Sequence, residues 1–220
     1  MGKLTWDVVG ERIYETGTSK GVLFVQNALG AYGAGVPWSG LISVTQSPDG
    51  GEPTPMYADN IEYLSLTSME NFKGSIEAFT YPEEFAACDG SKEAAPGLFV
   101  GQQPRVPFGM AYSTIIGNDT LGEAYGEKIH VMYDTKLATS ESANTTINDT
   151  PEAMTISWDF TTTPQQIAAV GVKPSAYVCI DSTKVTAAKF KAIQDLLYGT
   201  AVLTSDLPTI DELITLIKAA

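Results

Sequence analysis

Phe108-Gly-Met-Ala-Tyr-Ser-Thr-Ile-Ile116, Glu127-Lys-Ile-His-Val-Met-Tyr133 and Ala153-Met-Thr-Ile-Ser-Trp-Asp-Phe160 decide the fold class. In the first, Phe108, Met110, Tyr112 and Ile116 fall on one side, with Gly109, Ala111 and Ser113 on the other. In the second, Ile129, Val131 and Tyr133 oppose Lys128, His130 and Asp134. The third sets Met154, Ile156, Trp158 and Phe160 against Thr155, Ser157 and Asp159. A period of two, rich in aromatic and β-branched residues, marks strands buried on one side and wet on the other. Gly117-Asn-Asp-Thr-Leu-Gly-Glu-Ala-Tyr-Gly126 supplies turn-forming residues between the first two. A mainly β protein follows, with an antiparallel spine that has one polar face.

Working outward, Thr5–Thr16 and Gly21–Gln26 read as strands joined by a turn at Thr16-Gly-Thr-Ser-Lys-Gly21. From Asn27 to Tyr57 glycines and prolines punctuate the chain, interrupted only by the apolar run Leu41–Val44. So long a stretch with little regular structure is usually functional or ordered by a partner. Within it Val36, Pro37, Trp38, Met56 and Tyr57 are candidate interface anchors, since aromatic and Met side chains are enriched there. Asn60–Thr67 and Gly74–Tyr81 are further strands, and Leu98–Val100 starts another. Pro82-Glu-Glu-Phe-Ala-Ala-Cys88, with Gly90 beyond it, predicts a short helix. Ala176–Ile180 predicts a last short strand. Thr183–Tyr198 and the segment after the capping box Thr209-Ile-Asp-Glu212 predict two amphipathic helices. The chain thus divides into residues 1–182, a β domain carrying the loop 27–57, and a helical extension 183–220.

The net charge of −13 is uneven. Residues 47–95 carry −8 and residues 119–159 carry −6, while both ends of the chain balance. That field repels phosphate backbones and argues against nucleic-acid binding through the middle of the chain. The opening Met-Gly-Lys-Leu-Thr-Trp-Asp lacks the apolar stretch of a signal peptide, and no run is long enough to span a bilayer, so synthesis in a cytoplasm is expected. Cys88 and Cys179 read as buried thiols rather than a disulfide, and the Asn-x-Thr matches at Asn118, Asn144 and Asn148 as turns.

Residue types that carry chemistry are sparse. Glu83 and Glu84 are adjacent on the short helix and point about 100° apart, so they cannot flank one scissile bond. His130, the single histidine, has no nucleophile-elbow pattern around it and reads as hydrogen-bonded or solvated. No His/Cys spacing suits zinc, and Gly30-Ala-Tyr-Gly-Ala-Gly35 runs into Val36-Pro-Trp38 rather than opening a helix for a phosphate. No catalytic residue, metal or cofactor is expected.

Several motifs in order resemble major tail proteins of bacteriophages with long, non-contractile tails, of the kind found in phages of Gram-positive bacteria. They are Gly10-Glu-Arg-Ile-Tyr-Glu-Thr-Gly17, Ser19-Lys-Gly-Val-Leu23, Gly35-Val-Pro-Trp38, Glu52-Pro-Thr-Pro-Met-Tyr-Ala-Asp-Asn-Ile61 and Glu77-Ala-Phe-Thr-Tyr-Pro-Glu-Glu-Phe85. Gly101-Gln-Gln103, Arg105, Pro107-Phe-Gly109, Gly117-Asn-Asp119 and Asn148-Asp-Thr-Pro-Glu-Ala153 continue the likeness, which covers roughly residues 8–165. The resemblance implies an antiparallel β-sandwich with a short flanking helix and no active site. It implies self-assembly of six copies into rings that stack around a tape measure protein, between tail terminator and tail-tip proteins. DNA would later pass through the lumen without specific binding, and the protein would reside in the virion tail. On that expectation the loop residues Val36, Pro37, Trp38, Met56 and Tyr57 join stacked rings, and Thr155, Ser157, Asp159, Lys128, His130 and Asp134 face the lumen. The alternative is a carbohydrate-binding or adhesive β-sandwich of a tail tip, with aromatics of the loop stacking on sugars.

Overall fold

The computed structural model describes residues 4–139, 144, 146 and 153–219. The Asn148 turn and most of the 148–153 motif lie outside the described residues. In chain order the strands begin with β1 (Ile13–Val25), β2 (Val36–Trp38), β3 (Leu41–Gln46), β4 (Asp49–Gly50), β5 (Pro53–Ala58), β6 (Ile61–Thr67), β7 (Glu70–Asn71) and β8 (Lys73–Ala78). A single 3₁₀ turn, Glu83–Phe85, runs into α1 (Ala86–Asp89), followed by β9 (Lys92–Ala95) and β10 (Leu98–Val100). Then come β11 (Phe108–Asn118), β12 (Gly122–Leu137), β13 (Ile156–Thr162), β14 (Tyr177–Asp181), α2 (Ala187–Tyr198) and α3 (Ile210–Lys218).

The main sheet runs β2-β1-β11-β12-β13-β8-β3, antiparallel throughout, with β14 also on β12. β12 makes this possible because it serves two neighbours on one side. Lys128–Met132 pair with β14, and Thr135–Leu137 pair with β13. Between those spans Asp134 has a φ of 43°, which breaks the pleat and lets the sheet fold over on itself. The result is a mainly β, sandwich-like body. Leu23, Trp38, Phe108, Met110 and Met132 of one half meet Ile76, Ala78, Trp158 and Phe160 of the other. Phe85, from the turn before α1, sits 5.1 Å from Trp158 and 5.6 Å from Phe108 by ring centroids and plugs one end. α1 ends at Gly90, whose φ of 85° and ψ of 30° form the left-handed cap that glycine adopts without strain.

The expected polar face exists on only part of the sheet. On β13 the alternation holds: Trp158 and Phe160 point inward, whereas Ser157 and Asp159 point away. Their register partners Glu77 and Ser75 on β8, then Ser43 and Thr45 on β3, continue an outer polar face. On β11, however, Phe108 to Ser113 are buried on both sides. The second side carries Ala111, Ile129, Val131, Tyr133 and Ile180, covered by Phe190, Ile193 and Leu197 of α2 and by Leu207, Ile210 and Leu213 at and before α3. The helical segment therefore shares a core with the sheet. Its stripe needs an apolar partner, and the small residues of β11 leave room for it. A Cβ added to Gly109 would lie 2.2 Å from Leu207.

Two further expectations are corrected. Thr16–Gly21 is not a turn: Ile13–Ser19 and Val22–Val25 both run along β11, so the turn-forming residues become bulges, with Gly17 at φ 68° and Lys20 at φ 52°. The stretch 27–57 is not an irregular loop either, since it holds β2, β3, β4 and β5. Trp38 in particular is core, 4% exposed, and donates from Nε1 to the Thr80 carbonyl at 2.9 Å. It packs 4.4 Å from Phe85, centroid to centroid. An indole with its N–H satisfied and its ring among aromatics has no reason to face solvent.

Candidate functional site

Two groups of residues stand out from the folded body. The first is an arm formed by β5 and β6, which pair only with each other among the described residues. All thirteen residues of the two strands are exposed. The register places Met56 opposite Leu64 and Thr54 opposite Leu66, then shifts by one at Tyr63 so that Ala58 meets Ile61. The shift brings Met56, Ile61, Leu64 and Leu66 to one face of the arm, although Ile61 has the wrong parity for an unbroken strand. Tyr57 and Tyr63, 71% and 69% exposed, add aromatic surface. The β9–β10 hairpin exposes Leu98, Phe99 and Val100, and the leading segment exposes Leu4, Trp6 and Val9. The arm's own apolar face is the kind of exposed surface that marks an interaction site.

The second group closes the open end of the sandwich. Tyr112 and His130 stack with ring centroids 4.7 Å apart and planes 9° from parallel. Thr114 gives its hydroxyl proton to Glu15 at 2.7 Å, which leaves its oxygen to accept from His130 Nε2 at 2.8 Å. His130 Nδ1 is then the acceptor for the Tyr177 hydroxyl at 2.6 Å. Lys128 pairs with Glu15, and Gln46 Nε2 donates to the Tyr112 hydroxyl at 2.9 Å. Burial pushes the His130 imidazole below its ordinary value, with Glu15 opposing and Lys128 assisting. Partial burial would raise the Glu15 carboxyl, but its bonds to Lys128 and Thr114 prevail and hold it low. Burial raises Tyr112 to about 12 and lifts Tyr177. The neighbouring Cys179 thiol is lifted too by the part of it that is covered, but unlike Cys88 it is exposed, against the expectation of a buried thiol, because it lies on the outermost strand β14. Donors and acceptors here satisfy one another in a chain ending on a carboxylate. The thiol and the phenols are held in their protonated, unreactive forms.

The candidates from sequence separate accordingly. Val36 and Pro37 lie on β2, pairing with Leu23 and Val22 of β1, and Trp38 is interior; Met56 and Tyr57 lie on the arm. Thr155, Ser157 and Asp159 lie at or on the outer polar face. His130 is 6% exposed and belongs with Lys128 to the closed end between the sheet halves, so it does not share a surface with Ser157 and Asp159. Burial under Tyr112 and Tyr177 overrides the parity that grouped them. Asp134 is elsewhere again, at the pleat break, where its N–H donates to the Tyr32 hydroxyl at 2.9 Å. Sequence reasoning missed Ile61, Leu64 and Leu66. Their signal was present in the alternating run after Asn60 but read as an ordinary half-buried strand.

Among the described residues no cluster of three His, Cys, Asp or Glu could hold a metal ion, and no helix is long and apolar enough to cross a membrane. Comparison with known proteins finds no family model that matches the chain and no curated protein significantly similar to it.

Proposed function

We propose that this protein is a self-assembling structural subunit, and that the assembly is a phage tail tube of stacked hexameric rings that conducts DNA during ejection. The observation that carries the reading is the β5–β6 arm. A two-stranded hairpin standing alone in water is at best marginal, and this one presents four apolar side chains on one face and two tyrosines besides. Burying each large apolar side chain contributes about 1.5–3 kcal/mol, so a neighbouring subunit is the natural source of the arm's order. The polar face over β3, β8 and β13, with Glu77 and Asp159, suits a wall past which DNA slides without counterion release. The motif resemblance in residues 8–165 supplies the tail-tube identity, and with it the tape measure, tail terminator and tail-tip proteins as partners.

Negative-stain electron microscopy and sizing of the purified protein test the reading. Rings or tubes are the expected outcome. A monomer at all concentrations, with arm amides as protected from exchange as the core, overturns it. Exposure of Tyr57 and Tyr63 favours one rival, an adhesive domain that stacks on sugars. Saturable glycan binding by that monomer would establish the rival instead.

A further inference from the structure

The arm joins the body through a narrow stalk. There β4 and β7 contribute two pairs, Asp49 with Asn71 and Gly50 with Glu70. Beyond them the Ser68 N–H reaches the Glu52 carbonyl only at 3.4 Å, and the β5–β6 ladder then begins at Pro53 and Thr67. Gly50 and Gly51 both have positive φ, 93° and 73°, but for different reasons. A Cβ on Gly50 would lie 2.3 Å from the Met69 carbonyl oxygen, so that glycine is wedged in place. A Cβ on Gly51 would meet nothing within 4 Å. Gly51 is therefore free to turn, because glycine populates both signs of φ about equally. Pro53, two residues on, has φ fixed at about −65° and passes such a turn to the arm as a whole. Hinges are built from a few residues of this kind.

Beside the stalk is a cleft of about 640 Å³. Thr67, Met69 and Glu70 line it from the stalk, and Lys173 and Pro174 line it from the body. Phe72 and Tyr177, stacked with ring centroids 4.7 Å apart, join the two sides. The body side is pinned. Gln165 and Ser175 exchange two backbone bonds, at 2.9 and 3.1 Å, and the Tyr133 N–H donates to the Ala176 carbonyl at 2.9 Å. Met69 and Glu70 on one side and Lys173 and Pro174 on the other are all exposed. Neither Glu70 nor Lys173 has an ion-pair partner among the described residues. One cleft thus carries an unpaired acid and an apolar side chain on its hinged side, and an unpaired base and a proline on its fixed side. Those are the parts of a contact that the arm's own swing would complete.

We propose that the arm turns about Gly51 and Ser68 to close this cleft over its own body, with Glu70 on Lys173 and Thr67 and Met69 against Pro174, and that closure withholds the arm from a neighbouring subunit. The withholding rests on the self-assembly reading; the closure does not. Thr67→Cys with Pro174→Cys, in a chain also carrying Cys179→Ser, reads closure on the monomer. Mild oxidation in dilute solution is expected to give an intramolecular disulfide, seen as a faster band on a non-reducing gel. Glu70→Lys should slow its formation about fivefold, the upper range for an exposed ion pair, and adding Lys173→Glu should restore the rate. The oxidised, closed subunit should need about tenfold more protein to assemble, since few of its copies present the arm, and reduction should reverse the effect. No cross-link, or one indifferent to both charge changes, overturns the closure. A locked subunit that assembles as readily as the reduced one overturns the withholding. Absence of any assembly by the unmodified protein sinks the functional reading and the withholding with it, while the cross-link still decides the closure.

Discussion

Trp38 and His130 behave at the residue scale in ways their surroundings dictate. With its ring against Phe85 and Trp158 and its N–H on the Thr80 carbonyl, Trp38 holds β2 to the β8 end of the sandwich. Trp38→Ala is expected to destabilise the monomer by about 3–5 kcal/mol, the range for aromatic truncation in a core. Urea unfolding measures it, and a loss under 1 kcal/mol would contradict the interior placement. For His130, burial favours the neutral form, so the folded state takes up its proton less readily than the unfolded chain, whose imidazole titrates near 6.5. The stabilisation is thus present above pH 6.5 and declines as pH falls through that value. Glu15, held below its ordinary 4.5, acts in the same direction lower down. Groups facing the imidazole are Glu15 on β1, Tyr112 on β11, Tyr177 and Cys179 on β14, and Lys128 beside it on β12. Wild-type urea midpoints should fall between pH 7.5 and 5.5, and His130→Gln should flatten that fall. A midpoint equally pH-dependent in the variant assigns the effect to another group.

At the scale of elements, the arm is separable and the helices are not. None of the residues of β5 and β6 belongs to either core cluster. Replacing residues 53–67 with a short Gly-Ser link should leave the near-ultraviolet circular dichroism of the monomer intact and abolish its assembly. An unfolded product would mean that the arm supports the body. Legibility divides along the same line. β13 was plain in sequence because Trp158 and Phe160 alternate with Ser157 and Asp159 and the structure keeps that parity. α3 was equally plain, since Thr209 and Glu212 form the capping box and Ile210 and Leu213 are buried. β2 and β3 were hidden because glycines and prolines around them mimic a loop, and strands of three and six residues are too short to show a period. Gly109, Ala111 and Ser113 were misread as a wet face. Small side chains signal close approach as readily as solvent, and here they admit Leu207 and the Tyr198 hydroxyl, 2.8 Å from Ser113 Oγ.

For the whole molecule, two cores back on one sheet, and losing either exposes the other. Deleting residues 183–220 would uncover Ile129, Val131 and Tyr133, and it would leave the Tyr133 hydroxyl without the Pro208 carbonyl it donates to at 2.8 Å. The truncated chain is expected to aggregate on expression. Recovery of a monomer with native-like thermal unfolding would show that the sheet stands without its helices. The candidate site was the least legible feature at this scale. Exposure of Met56, Ile61, Leu64 and Leu66 depends on where the arm leaves the body, which no local pattern encodes.

The two prolines of β5 also govern how an assembly can grow. Pro53 and Pro55 sit in non-hydrogen-bonded pairs with Thr67 and Ser65 and offer no N–H on the outer side of β5, so in the proposed assembly the arm docks by its other edge, with a valence of one and no branch point. Such subunits link head to tail, so their chains close into rings when the rotation between neighbours divides a full turn, and otherwise wind into a filament. Replacing Pro53 and Pro55 with threonine would restore the missing donors and raise that valence. The expected product is a turbid, branched precipitate in place of countable particles, and light scattering would tell the two apart.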